Sequence, residues 1–130
     1  MNANVRLGAI AALLVGSALA LSAHHTISTV YDTTRHATIQ GVVEGVEWKL
    51  PHSFIHLNVV DANGGAGAWQ IETEAPYVIR RRNAALLDAI KVGDRITVDV
   101  CLSKDGQPRG WLHQLTTSAG MTFEVSAGGC

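Results

Sequence analysis

Six histidines are spread along a chain of 130 residues with only two cysteines, and two of them, His24 and His25, stand side by side. Just before them, Arg6 precedes an uncharged apolar run from Leu7 to Leu21, LGAIAALLVGSALAL. A cut after Ala23 makes His24 the first residue of what remains. Its α-amine and its imidazole can then grip one metal ion together. An α-amine has an unperturbed pKa of about 7.7–8.0, and copper displaces that proton near neutral pH because metal binding and deprotonation are linked. A second imidazole completes a T-shaped set of three nitrogens, a histidine brace. Imidazole also suits zinc, nickel and iron, and it is the geometry of the set that favours copper. The third nitrogen is expected from His52, at the start of a strand where a strand end can meet the N-terminal arm. His25 is the other candidate, although adjacent side chains of an extended arm point apart. His56 is a poor companion for His52, because four residues at roughly 3.3 Å each separate their Cα atoms by about 13 Å. His36 and His113 stay open as ligands or as neighbours of ligands.

The apolar run is shorter than the roughly 20 residues that a membrane span needs. With small residues behind it, the run fits a secretory signal over residues 1–23, and the mature protein is expected in the periplasm without a stable membrane anchor. No cysteine closes the run, so a lipid anchor is not expected. Cuts after Ala20 or Ser22 are also compatible with the residues. After Ser22 the chain starts Ala23-His24-His25, and a histidine at position three makes a square-planar site suited to Cu(II) or Ni(II). After Ala20 the pair lies inside an arm and the brace is lost.

Removing residues 1–23 takes away Arg6 and no acid, leaving 107 residues with nine basic and eleven acidic groups, a formal charge of about −2. That is one domain rather than two, and the balance excludes a nucleic-acid or anionic-membrane partner that a basic excess would suit. Cys101 and Cys130 can pair in an oxidising compartment, or the tail ending Ala-Gly-Gly-Cys130 can stay loose. There is no Gly-x-Ser-x-Gly turn and no phosphate-binding glycine loop, so no catalytic residue is expected. Arg80-Arg81-Arg82 reads as a solvated helix face, and Glu44 and Glu47 as exterior residues. Of Trp48, Trp69 and Trp111, at least two are expected in the core.

The elements that must position the histidines read as strands. Residues 37–48 are rich in Ile, Val and Thr, with Gly41 and Gly45 inside. A bulge near Gly45 keeps Ile39, Val43, Val46 and Trp48 on one side. Ser53, Ile55, Leu57 and Val59 alternate with His52, Phe54, His56 and Asn58 over residues 51–61. A Gly-rich break precedes a third strand at 68–74. Pro76 suits the first position of a helix running to Ile90, with a break at Asn83. Ile96, Val98, Val100 and Leu102 alternate over 95–102, Asp105-Gly106 signals a hairpin, and 110–117 returns. Three strands, a helix and two strands predict a mainly β fold, a small five-stranded OB-like Greek-key barrel with one helical segment between strands 3 and 4. The N-terminal arm is then 24–36, the barrel 37–118 and the C-terminal tail 119–130.

Several of these residues form a pattern. Ala23-His24-His25 is followed by Gly41, Val43, Val46, Trp48, Pro51 and His52, spaced as Gly-x-Val-x-x-Val-x-Trp-x-x-Pro-His. Trp69-x-x-Glu72, Gly93-Asp94 and Lys104-Asp105-Gly106 complete it. The chain thereby resembles a family of small exported bacterial proteins of unknown function. It departs from that family at Leu50, where Asn is usual, and at Asn83-Ala84, where Gly-Trp is usual. The resemblance implies export and the fold, and points at the same histidines. Two functions of different kinds follow. One is a periplasmic copper-binding protein for storage, delivery or protection, using His24, His25 and His52. The other is a module whose β face binds a protein partner or small ligand, with incidental histidines and an exposed tryptophan, Trp111, as reporter.

Overall fold

The computed structural model describes residues 27–60, 64 and 66–126. The expected signal, His24, His25 and Cys130 lie outside those residues. Residues 27–30 are helical and lead directly into β1 (Tyr31–Glu47). β2 (Ser53–Val60) and β3 (Ala66–Thr73) follow, then α1 (Pro76–Asn83), α2 (Leu86–Ala89), β4 (Arg95–Ser103), β5 (Arg109–Thr117) and β6 (Thr122–Glu124). The fold is mainly β, with all six strands in one sheet ordered β3-β2-β1-β4-β5-β6. β3 also pairs with β5, in parallel, at Gln70, Ile71 and Glu72. The pairings therefore pass from β1 to β2, β3, β5, β4 and back to β1.

Local chemistry explains each element. β2 and β4 alternate because one face is buried, with Ile55, Leu57, Ile96, Val98 and Val100 inward. The register between β1 and β2 shifts between Val43 and Gly45, where a bulge was expected. At Gly41 an added Cβ would lie 2.9 Å from the Asn58 carbonyl oxygen, so the two strands can approach only over a glycine. Pro76 starts α1 where its missing N–H costs nothing. The helix ends at Asn83 and α2 resumes at Leu86, matching the expected break. Ile79, Leu86 and Ile90 from this pair enter the core formed by Ile39, Val43, Ile71, Leu112, Leu115 and Phe123. Arg80, Arg81 and Arg82 are exposed, as a solvated helix face requires.

Two boundaries differ from the sequence reading. β1 begins at Tyr31, six residues before the expected start, so half of the segment read as an arm is strand. Its sequence, Tyr-Asp-Thr-Thr-Arg-His, is polar and without alternation because only Tyr31 faces an apolar surface. The register against β4 shifts between Tyr31 and His36, which hides the period further. At the other end, β6 lies within the segment read as a tail and pairs with β5 at Gln114, Leu115 and Thr116. Three residues carry too short a pattern to register, yet Phe123 and Val125 are buried.

A second, smaller cluster lies on the opposite face of the wall made by β4 and β5. Tyr31, Cys101 and Trp111 are buried together, with Ile27 and Val30 packed against them. Cys101 is disulfide-bonded.

Candidate functional site

β2 opens at Ser53, after a turn containing a cis Leu50–Pro51 peptide, and His52 is the last residue of that turn. Side chains of alternate residues leave a strand on opposite faces. Ser53, Ile55 and Leu57 are buried, and His52, Phe54 and His56 share the other face. Phe54 pairs with Glu72 on β3, and Glu72 pairs with Trp111 on β5. The turn before β2, together with β3 and β5, thus delivers His52, Glu72 and Trp111 to one place, and the start of β1 adds Tyr31.

The contacts there are short and mutually consistent. His52 Nδ1 is 2.6 Å from Glu72 Oε1, and the Tyr31 hydroxyl donates to Glu72 Oε2 at 2.5 Å. The His52 ring meets the Trp111 ring edge-on, with centroids 5.0 Å apart. Tyr31 lies against the same indole at 6.1 Å with a 50° tilt. The imidazole and carboxylate are partly open, at 24% and 20% exposure, so a ligand can reach them. Burial first, then the hydrogen bond to Glu72 and its charge, pushes the Tyr31 phenol far above its usual range, and it stays a donor.

The N-terminal segment is held at the same spot. The Lys104 backbone N–H donates to the Val30 carbonyl at 3.0 Å, and Lys104 Nζ donates to the Ser28 carbonyl at 2.6 Å. Lys104 and Asp105 belong to the β4–β5 turn. Ser103 Oγ, the Gln107 N–H and Arg109 all donate to the Asp105 carboxylate, which they hold at about 2, Ser103 contributing most.

Of the three histidines expected to bind metal, only His52 lies within the described residues. His56 turns away from it, its Nε2 2.7 Å from Glu47 Oε1. Glu44 and Glu47 are exposed, as expected. His36 points Nε2 at the Thr33 carbonyl, 3.1 Å away, and its Nδ1 is 3.6 Å from Cys101 Sγ. His36, Asp99 and His113 line one shallow hollow. Among the described residues no group of three or more His, Cys, Asp and Glu side chains is arranged to hold a metal ion.

Trp111, expected as an exposed reporter, is 1% exposed, because Tyr31 and His52 cover its ring. Trp48 and Trp69 are half-buried and pack against the main core without being part of it, so of the three tryptophans only Trp111 is fully buried. Tyr31 and Glu72 are site residues that the sequence reading did not offer. The Trp69-x-x-Glu72 spacing was the signal available for Glu72, and nothing in the sequence linked Tyr31 to it.

Another hollow lies apart from this cluster. A groove of about 620 Å³ runs between β2, β3 and the residues before β5, lined by Glu44, His56, Trp69, Gln70, Pro108 and Arg109 among others. It contains none of His52, Glu72 and Tyr31. Volume alone sets no chemistry, whereas the His52 cluster fixes polar atoms at hydrogen-bond distance, so the cluster is the better candidate for a site with defined chemistry. Among the described residues, no helix is long and apolar enough to cross a membrane.

The model of one family, described as Family of unknown function (DUF6152), matches residues 11–113. No curated protein and no solved structure matches the chain.

Proposed function

The chain belongs to the family DUF6152, which carries no assigned activity, and from the His52 cluster we propose that it is an exported periplasmic protein that binds a metal ion. Copper is the favoured metal, with storage, delivery or protection as the role. His52 supplies one imidazole, and a terminal His24 supplies its amine and its ring nitrogen, with His25 in reserve. One observation carries this reading: the His52 ring meets the Trp111 indole, and Ile27 and Val30 at the end of the N-terminal segment pack against the cluster that Trp111 forms with Tyr31 and Cys101. His24 precedes Ile27 by three residues, so their Cα atoms are no more than about 11 Å apart. The reading requires the terminal histidine to reach His52 Nε2 across those three residues. The export part of the reading rests on Arg6 and the apolar run Leu7–Leu21.

The ring of strand pairings and the helix pair between β3 and β4 support reading the fold as an OB-like barrel. On that reading the metal site sits on the outside of the wall, leaving the apolar interior untouched.

The test is a native mass spectrum of protein recovered from the periplasm after export with its own N-terminal region. The expected species starts at His24 and carries one copper. His24→Ala and His52→Ala should each weaken Cu(II) binding at least tenfold. A chain that starts elsewhere and stays metal-free after copper is supplied and the excess removed overturns the reading.

The groove favours a second reading, a module that binds a small ligand or protein segment. Its volume falls in the range of about 300–1,000 Å³ typical of small-molecule sites, and half-buried Trp69 lines it. This reading predicts that a bound ligand changes Trp69 fluorescence and that His24→Ala has no effect.

A further inference from the structure

Glu72 joins two partners that come from opposite ends of the site. Through Oε1 it meets His52, and through Oε2 it meets Tyr31. A carboxylate accepts hydrogen bonds and does not donate them, so each contact places a hydrogen on the partner. We propose that Glu72 and Tyr31 are positioning residues for His52: they fix it as the Nδ1–H tautomer with Nε2 as the lone-pair nitrogen, and they make that setting depend on the seating of residues 27–31. The identity of what Nε2 then binds rests on the metal reading above; the tautomer and its dependence on Tyr31 do not.

The physical basis is a chain of constraints with no slack. A histidine with both ring nitrogens facing water samples both tautomers. Here Nδ1 meets a carboxylate at 2.6 Å, a charge-assisted contact of the stronger kind. Trp111 meets the ring edge-on and limits its rotation. Carboxylate partners of this sort orient histidines that ligate metals and raise their basicity. The carboxylate in turn needs holding, and the Tyr31 hydroxyl does so from the far side at 2.5 Å.

Tyr31 is also the residue through which the N-terminal segment is anchored. It opens β1, its ring is buried on Trp111, and the residues just before it are tied to Lys104 by two hydrogen bonds. The seating of that segment and the orientation of His52 thus share one side chain. By linkage, a ligand engaging Nε2 favours the seated segment by the same factor that seating favours the ligand.

The test compares the wild-type protein with Tyr31→Phe and Glu72→Gln. Tyr31→Phe keeps the ring on Trp111 and removes only the donor. Long-range ¹H–¹⁵N NMR of the metal-free proteins reads the His52 tautomer directly. The wild type should be predominantly Nδ1–H, and Tyr31→Phe a mixture. Glu72→Gln should shift the population toward Nε2–H, since the Tyr31 hydroxyl occupies the amide oxygen and leaves the NH₂ to face Nδ1. Cu(II) titration of the same three proteins should show Kd rising about tenfold in Tyr31→Phe. A merely structural role would lower the melting temperature and leave the tautomer alone. An unchanged tautomer in both variants overturns the proposal. A wild type that is Nδ1–H but takes up no copper overturns the metal reading and leaves the positioning role standing.

Discussion

At Gly110 an added Cβ would lie 2.6 Å from Val100 Cγ2 and 2.7 Å from Val100 Cβ, distances that real Cβ atoms do not tolerate. β4 and β5 close on each other there because one residue has no side chain. Gly110→Ala should therefore destabilise the protein by about 1–3 kcal/mol, the usual cost of overpacking, as urea denaturation would measure. The neighbouring Trp111 should feel the same displacement, so loosened His52–Trp111 contact is the accompanying expectation, visible in the His52 ring shifts. A second residue-scale test concerns Ser53 and Thr73, which face each other across the β2–β3 pair. Both hydroxyls are buried, and among the described residues neither has a hydrogen-bond partner. Unsatisfied buried polar groups cost stability, so Thr73→Val should be neutral or stabilise by up to about 1 kcal/mol. A loss of more than that in thermal unfolding would show that the Thr73 hydroxyl is satisfied in solution.

At the scale of elements, the β4–β5 turn is the part whose stability depends on acid. Asp105 falls from the usual 3.8 to about 2, chiefly through the Ser103 hydroxyl, then the Gln107 N–H and Arg109. A carboxyl whose folded value is depressed stabilises the fold above its unfolded value, and that contribution fades as pH falls through the folded one. The turn should hold at pH 5 and loosen between about pH 4 and pH 2, with Asp105→Asn removing that dependence; amide exchange of Gly106 and Gln107 follows it. This turn, like β2, β4, the split helix and the bulge near Gly45, was legible in the sequence, because each rests on a local signal. Alternation marks a half-buried strand, Asp-Gly marks a turn, and Pro76 and Asn83 mark helix ends. The first six residues of β1 and all of β6 were not legible, since their pairing is fixed by the neighbouring strand rather than by their own pattern. The site was legible only in His52. Glu72, Tyr31 and Trp111 converge from three strands distant in the chain, and no spacing along the sequence encodes that convergence.

At the scale of the whole molecule, β4 and β5 form a wall with an apolar cluster on each side. The inner one holds Val98, Val100, Leu112 and Leu115; the outer one holds Cys101 and Trp111 under Tyr31, Ile27 and Val30. Removing the residues up to Val30 should strip the Ile27 and Val30 packing from the outer cluster and loosen the cover over Trp111 while the inner core persists. In a Trp48→Phe/Trp69→Phe background, the emission should shift to the red and the protein should lose about 2 kcal/mol, the worth of one or two aliphatic side chains. Unchanged emission would place the cover elsewhere. The two-sided wall has another consequence, for how the chain finds its pairing. Gly110, Trp111 and Leu112 follow one another on β5, and Trp111 and Leu112 are buried on opposite sides. A slip of one residue against β4 would turn the indole into the packed interior and the leucine out. Only the correct alignment gives Tyr31 and His52 a flat aromatic surface to settle on. The first strand of the protein thereby proofreads the alignment of strands made long after it.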